Sequence, residues 1–361
     1  MQKHLTRAWV EIDLGALVRN GAALAARAGV PLLPMLKADA YGTGAVRAAL
    51  ALERLEPWGY GVATVAEGAE LRRAGIERPV VVFTPLDSAD LRVARDARVT
   101  PILSRSAEIV DWHSIGGGAW HLGVDTGMSR AGVRWDATAQ LRDALITSPP
   151  EGAFTHFHSA ELGNGSMEEQ ERLFRQALAE LPARPALLST ENSAAIARRR
   201  GSEWDVVRPG VFLYGVGSGG GAAIFPEPVV SLRASVVDLR TIPVGASVSY
   251  DATYIASAER RVATLAIGYA DGYPRAMSGR GRAIINGRFV PVLGVVTMDM
   301  TMIDVSDVPC SLGDRATLIG RDGEHLITVE DVASLGNVHP YEFLTGLGVP
   351  RLPHVYQEAG A

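Results

Sequence analysis

Of the 361 residues, 35 are lysine or arginine, yet only Lys3 and Lys37 are lysines. Arginine keeps its proton in proteins, whereas a desolvated lysine can shed its own and attack a carbonyl as a neutral amine. Any amine chemistry therefore falls to one of these two. Lys3 lies in an N-terminal stretch of the kind that frays. Lys37 closes the apolar run at residues 31–36 and opens the string KADAYG. An ammonium emerging from an apolar strand end is partly desolvated and its pKa falls, which suits condensation with a carbonyl. The strings ENSAA at 191–195 and RPGVFLY at 208–214 place Ser193 and Gly210 where a hydroxyl and an open N–H can cradle an anion. A Schiff-base lysine beside an anion cradle points to pyridoxal 5'-phosphate as cofactor.

Other reactive side chains offer less. His156 and His158 are two apart on an expected strand and so share a face, an arrangement that metal-dependent hydrolase barrels use, and His121 falls in an earlier strand before Val124. A metal needs further ligands at other strand ends, and without a full set no metal site is expected. Cys310 is the single cysteine. It can make neither an internal disulfide nor a multi-cysteine metal site, so nothing asks for an oxidising compartment.

These side chains need a scaffold that gathers strand ends. Short apolar runs at 31–36, 59–63, 79–83, 100–103, 119–124, 152–157, 186–189 and 205–208 alternate with helical patterns such as those at 45–55, 65–74, 89–97 and 168–181. Eight strands in series predict an α/β fold, a closed (β/α)8 TIM-like barrel, rather than an open doubly wound sheet. In such a barrel the active site lies at the C-terminal strand ends, and the last two loops commonly bind phosphate. The glycine-rich stretch at 215–221 lacks the Gly-Lys-Ser/Thr ending of a phosphate loop and reads as a linker. Beyond it, alternating segments at 229–239, 261–267, 282–285, 290–296 and 316–319 read as antiparallel strands of a second, all-β domain, with Asn286 and Gly287 as a hairpin turn. The predicted organisation is a strand within residues 1–12 that joins the β domain, a barrel over 13–221, and a mostly β C-terminal domain over 222–361.

Composition excludes several classes. A net charge of −5 with scattered arginines and no basic block argues against a nucleic-acid or membrane-surface binder. Hydrophobic content of 47% with 21% charged residues provides a full core. No stretch has the apolar length of a membrane span and the N-terminal residues lack a signal-peptide core, so a cytoplasmic protein is expected.

The strings KADAYG at 37–42, VDTGMSR at 124–130, THF at 155–157, NSAA at 192–195, RPG at 208–210, SY at 249–250, IGYADGY at 267–273 and MD at 298–299 follow one another across nearly the whole chain. Each alone is weak; the ordered set resembles the alanine racemase family. The resemblance implies an isomerase dependent on pyridoxal phosphate that interconverts L- and D-alanine, supplies D-alanine for peptidoglycan, and works as a homodimer with shared active sites. It implies that Lys37 holds the cofactor and, once released by substrate, acts as base on one face of the α-carbon, with Tyr250 of the partner subunit as base on the other. Racemisation needs two such groups, and both start from an ordinary pKa of about 10, so each needs tuning toward neutrality. Arg208 matches the residue facing the pyridine nitrogen. A guanidinium does not give up its proton, so the ring is a weaker electron sink and transamination is suppressed. Tyr41, Ser193, Gly210 and Tyr341 match cofactor-phosphate contacts, with Asn192 and Val211 beside them in the cofactor site. Arg130 and the Met298 N–H match groups that orient the phenolic cofactor oxygen and the substrate carboxylate. His156 would link Arg208 to Tyr250, and Tyr269 and Asp299 match positions at the substrate entrance.

Several positions depart from the family pattern. Thr43, Gly123, Asp251 and Thr297 stand where histidine, an often carbamylated lysine that steadies Arg130, glycine and cysteine are common. The tail at 344–350 lacks a tyrosine that often narrows the substrate pocket. A roomier pocket leaves serine or a broader range of amino acids as the alternative. A barrel-type amino-acid decarboxylase is a second alternative, but it relies on a catalytic cysteine late in the β domain, and the surroundings of Cys310 read as a turn. A barrel-only pyridoxal phosphate carrier would lack the domain that bears Tyr250.

Overall fold

Residues 80–82 and 100–103 are buried throughout, as strands of a parallel sheet covered by helices must be. In the computed structural model, which describes residues 7–358, parallel strands Tyr60–Val62, Val80–Val82, Thr100–Leu103, His121–Asp125, Gly152–Phe154 and Leu187–Ser189 pair in that order. The runs at 31–36 and 205–208 close the ring through single bridges: Leu32 with Val207, Met35 with Gly61, and Asn192 with Arg208. Leu33 N donates to Val207 O at 2.7 Å and Gly61 N to Pro34 O at 2.9 Å. Neither run is a full ladder strand, contrary to expectation, because Pro31, Pro34 and Pro209 have no N–H to contribute. The result is still the expected eight-membered (β/α)8 barrel.

Helices cover this ring, and local chemistry sets their ends. Leu14–Ala28 starts where the Asp13 carboxylate accepts from Ala16 N at 2.8 Å and stops at Gly29, whose φ is 71°. Val65–Arg73 starts at a capping box formed by Thr64 and Glu67. None of the helices is long and apolar enough to cross a membrane, among the described residues.

The alternating segments form a nine-stranded sheet, among the described residues, centred on the long strand Val230–Ile242. Ala8–Asp13 pairs antiparallel with that strand and parallel with His354–Gln357, so the chain's first and last described strands lie side by side. Asn286 and Gly287 turn the hairpin with φ values of 46° and 71°, the left-handed pair that a two-residue turn demands. The second region is not all β. Helices Val329–Gly336 and Pro340–Thr345 interrupt it, capped by Thr328 and His339, and bury Val332, Ala333, Phe343 and Leu344.

Candidate active site

Lys37 begins the segment Lys37–Gly42, and its backbone is the unusual feature of the barrel mouth. Ala38, Asp39, Ala40 and Tyr41 all have φ between 52° and 57°, a left-handed turn built from four consecutive non-glycine residues. Each such residue costs about 1–2 kcal/mol, so the surroundings must impose the turn. They do so with specific bonds. Glu67 Oε1 accepts from Ala38 N at 2.8 Å, Asp39 Oδ1 accepts from Ala45 N at 2.6 Å, and Thr43 Oγ1 donates to Ala40 O at 2.6 Å. Thr43, a departure from the family pattern, is therefore a buried peg of this turn. A side chain at Gly42 would collide with Leu344 O at 2.8 Å, so the tail closes on the turn. Lys37 is half-buried and its Nζ lies 5.9 Å from the Tyr41 ring centroid. Burial, and then the charge of Arg130, pull the amine below the ordinary lysine range, while Glu67 opposes them.

Lys37 opens onto a cavity of about 1390 Å³ at the C-terminal ends of the strands. Tyr41, Arg130, His156, Asn192 and Ser193 line the same cavity, as do Arg208, Gly210, Val211 and Tyr341. Asn192 caps helix Ser193–Arg198 through its Oδ1, which accepts from Ala195 N at 3.1 Å. Ser193 Oγ accepts from Gly210 N at 2.8 Å, which leaves its own proton to donate outward. An added Cβ on Gly210 would lie 2.6 Å from Tyr41 Oη, so only glycine lets that hydroxyl approach. The Tyr41 ring stacks 4.9 Å from Tyr214 and meets Tyr341 edge-on at 6.1 Å, and burial keeps its phenol protonated. Two phenols and a serine hydroxyl therefore present donors to one end of the cavity. That donor set suits a phosphate.

Arg208, on the same cavity, is fully enclosed. It donates to Ser189 Oγ, to Thr155 O at 2.7 Å, to Thr190 O at 3.2 Å and to His156 Nδ1 at 3.5 Å. Burial brings its guanidinium down to about 9, still charged at neutral pH, with Glu191 opposing the fall. His156 is pushed down to about 3 by burial and by the charges of Arg208, Arg130 and Lys37. Its imidazole is thus neutral, with Nδ1 as acceptor toward Arg208 and Nε2 carrying the proton. Arg130 rides on a loop fixed by Asp125 Oδ1, which accepts from Gly127 N and Ser129 N at 3.0 Å each. The Arg130 side chain is exposed and makes no hydrogen bond or ion pair among the described residues. Gly123 cannot be replaced freely here, because a Cβ would sit 2.9 Å from Ile102 Cγ2.

Tyr250, Tyr269, Met298 and Asp299 form a second group, held on the β sheet by neighbouring turns. Ser249 Oγ donates to Val295 O at 2.7 Å, and Tyr269 N and Ala270 N donate to Thr297 O and Met298 O at 3.0 Å each. Thr297 closes the turn carrying Met298 and Asp299 by donating from Oγ1 to Met300 O at 2.9 Å. Buried Asp271 accepts from Gly268 N at 3.0 Å and pairs with Arg7 and Arg351, and Arg351 also reaches Asp299 at 2.6 Å. Asp251 takes a left-handed φ of 59° at the surface. Tyr250 is 68% exposed and Met298 52%. None of the four lines the cavity holding Lys37 in the same chain.

Two expectations are corrected. His156 lies beyond the end of strand Gly152–Phe154 and His158 is an exposed loop residue bonded to Ser159 Oγ at 2.8 Å, so they do not share a strand face. His121 begins its strand and therefore lies at the opposite end of the barrel, 3.4 Å from Glu151. No three His, Cys, Asp or Glu residues group as a metal site among the described residues. Cys310 is buried, its thiol pushed up by that burial, and it does not line the cavity. Sequence reasoning missed Glu67 and Ser189. The Thr64-to-Glu67 spacing of a capping box was a usable signal for the first, whereas nothing in the sequence marked the second.

Comparison with known proteins identifies the family. The family model for the alanine racemase N-terminal domain matches residues 12–218, and that for the alanine racemase C-terminal domain matches 229–356. An alanine racemase from Symbiobacterium thermophilum is 36% identical over 365 residues, 96% of either chain. The alanine racemase from Bartonella henselae, solved with covalently bound pyridoxal phosphate, superposes with a TM-score of 0.88 at 29% identity, covering 98% of this chain and 100% of that one. A histidine racemase from Leuconostoc mesenteroides superposes equally well, with a TM-score of 0.88 at 26% identity over 98% and 99% of the two chains. The chain belongs to the alanine racemase family.

Proposed function

We propose that this protein is an amino-acid racemase dependent on pyridoxal phosphate, acting on alanine as a homodimer in the cytoplasm and supplying D-alanine for peptidoglycan. The observation that carries this reading is that a half-buried lysine amine, a set of hydroxyl donors and an enclosed arginine line one cavity. Pyridoxal phosphate, when bound, would withdraw electrons from the substrate α-carbon and so make its proton removable. Tyr41, Ser193, Tyr341 and the Val211 N–H would hold its phosphate, whereas the Gly210 N–H, expected to be open, is spent on Ser193 Oγ and serves by fixing that hydroxyl. Arg208, a donor only, would face its ring nitrogen and limit that withdrawal, which favours returning the proton over losing the amino group.

The chain's own residues supply the proton transfers. Lys37 would hold the cofactor through its amine, and the depressed pKa of that amine would let its neutral form take the α-proton on one face. Tyr250 of the partner subunit serves the other face, which accounts for its exposure here and its absence from the cavity of its own chain. Neutral His156 offers its Nε2 proton to that phenol oxygen, and Arg130 takes the substrate carboxylate. In this arrangement the barrel, residues 13–221, holds the cofactor, and the β domain of the other subunit, residues 222–361 joined by strand Ala8–Asp13, closes the site.

The test is incubation of purified protein and pyridoxal phosphate with L-alanine in deuterated water. D-alanine carrying α-deuterium is expected, and Lys37→Ala should abolish both product and the visible absorbance of the bound cofactor. A colourless wild-type protein without D-product would refute the reading. A second reading, broader specificity toward serine or histidine, is favoured by the tail at 344–348. Its residues Gly346 and Gly348 pack beside the turns of the site without side chains. The same assay with those substrates decides between the two.

A further inference from the structure

The proposed chemistry relies on a lysine mounted on a strained turn, and the inference below rests on that reading. Helix Val65–Arg73 starts with a capping box, in which a glutamate ordinarily returns to the N-cap N–H alone. Glu67 does more. Its Oε2 accepts from Thr64 N at 3.0 Å and from Ala63 N at 2.7 Å, while Oε1 crosses to the neighbouring strand end and accepts from Ala38 N at 2.8 Å. Ala38 directly follows Lys37 and is the first of the four left-handed residues. One carboxylate thus staples the ends of the first two barrel strands together at the catalytic lysine.

The charges around Lys37 are unbalanced without it. From the loop after strand His121–Asp125 comes Arg130, and from the segment after Gly152–Phe154 comes neutral His156. On its own turn, Tyr41 presents a ring and protonated phenol, and Asp39 is engaged with Ala45 N. Glu67 is the carboxylate that acts on the amine. We infer that Glu67 is a positioning residue for Lys37, which locks the start of the left-handed turn and supplies the negative charge that opposes Arg130 at the amine.

The two-lysine composition makes the test unusually clean. The full-length protein, freed of cofactor with hydroxylamine, is acetylated with acetic anhydride across a pH series, and Lys37 and Lys3 peptides are quantified by mass spectrometry. Glu67→Gln keeps the length and one acceptor oxygen but removes the charge. It should lower the pH midpoint of Lys37 labelling, so that below the midpoint Lys37 reacts about threefold faster or more while Lys3 is unchanged, a shift of about half a pKa unit. Mere loosening would move the midpoint upward, toward that of a free lysine. An unchanged or raised midpoint overturns the inference. Glu67→Ala removes both acceptors, and Ala38 N–H should then exchange with solvent at least about tenfold faster; retained protection also overturns it. A separate arm reduces wild type with borohydride in the presence of pyridoxal phosphate. Failure to tag Lys37 there refutes the functional reading, whereas a tagged Lys37 with unaltered titration refutes only the role of Glu67.

Discussion

The neutral state of His156 has a measurable cost in acid. Enclosed beside Arg208, with Arg130 and Lys37 also acting on it, the imidazole titrates at about 3 in the folded protein against 6.5 for a free histidine. A base whose folded pKa is depressed binds fewer protons folded than unfolded between those two values, so stability is lost as pH falls through that window. The loss is about 1.4 kcal/mol per pH unit once below the unfolded pKa, which amounts to about 2 kcal/mol between pH 7 and pH 5 from this residue. Other histidines and carboxyls titrate over the same range, so the informative quantity is a difference. Urea unfolding of wild type and His156→Asn, followed by circular dichroism at fixed protein concentration, should show the variant losing about 2 kcal/mol less on acidification from pH 7 to pH 5. Parallel pH dependences for the two proteins would refute the claim that Arg208 faces a neutral imidazole, and with it the assignment of the Nε2 proton.

Other perturbations follow from single contacts. Gly210→Ala places a Cβ 2.6 Å from Tyr41 Oη and should drive that hydroxyl from the cradle; losing one charge-assisted bond of about 1.5–3 kcal/mol weakens pyridoxal phosphate binding by about 10- to 100-fold, measurable by fluorescence titration. Asp271→Asn leaves Arg7 and Arg351 without their buried partner and should cost about 2–3 kcal/mol in urea unfolding, less than a fully buried pair because both arginines are half exposed. Gly123→Ala presses on Ile102 Cγ2 at 2.9 Å and should cost about 1 kcal/mol in the same measurement.

The barrel was legible because its strands are short apolar runs separated by helical patterns, and its mouth was legible because one lysine ends the first run. Proline was the part misjudged. Pro31, Pro34 and Pro209 reduce the first and last runs to single bridges, which a hydrophobicity pattern does not register. The left-handed turn was hidden for a deeper reason. Ala38, Asp39, Ala40 and Tyr41 have no preference for positive φ, and the conformation exists only because Glu67, Thr43 and the tail near Gly42 impose it from distant parts of the chain. Local propensity cannot report a conformation that only tertiary contacts hold. Tyr341 could be singled out by its family match, but not its setting on a helix behind Pro340, in a region where the sequence pattern marked strands alone.

On the proposed function, the electrostatics of the cavity would link substrate capture to proton transfer. Lys37, Arg130 and Arg208 all act on His156, and Arg130 is also the charge that, after burial, most lowers the Lys37 pKa. Arg130 has no ion partner among the described residues, so its charge reaches the amine unopposed except by Glu67. A substrate carboxylate that settles on Arg130 cancels that influence. On the proposed reading the Lys37 pKa would rise as substrate arrives, which would strengthen the amine as a base for the α-proton. With no ion partner among the described residues, the Arg130 guanidinium would be left for the substrate itself to neutralise.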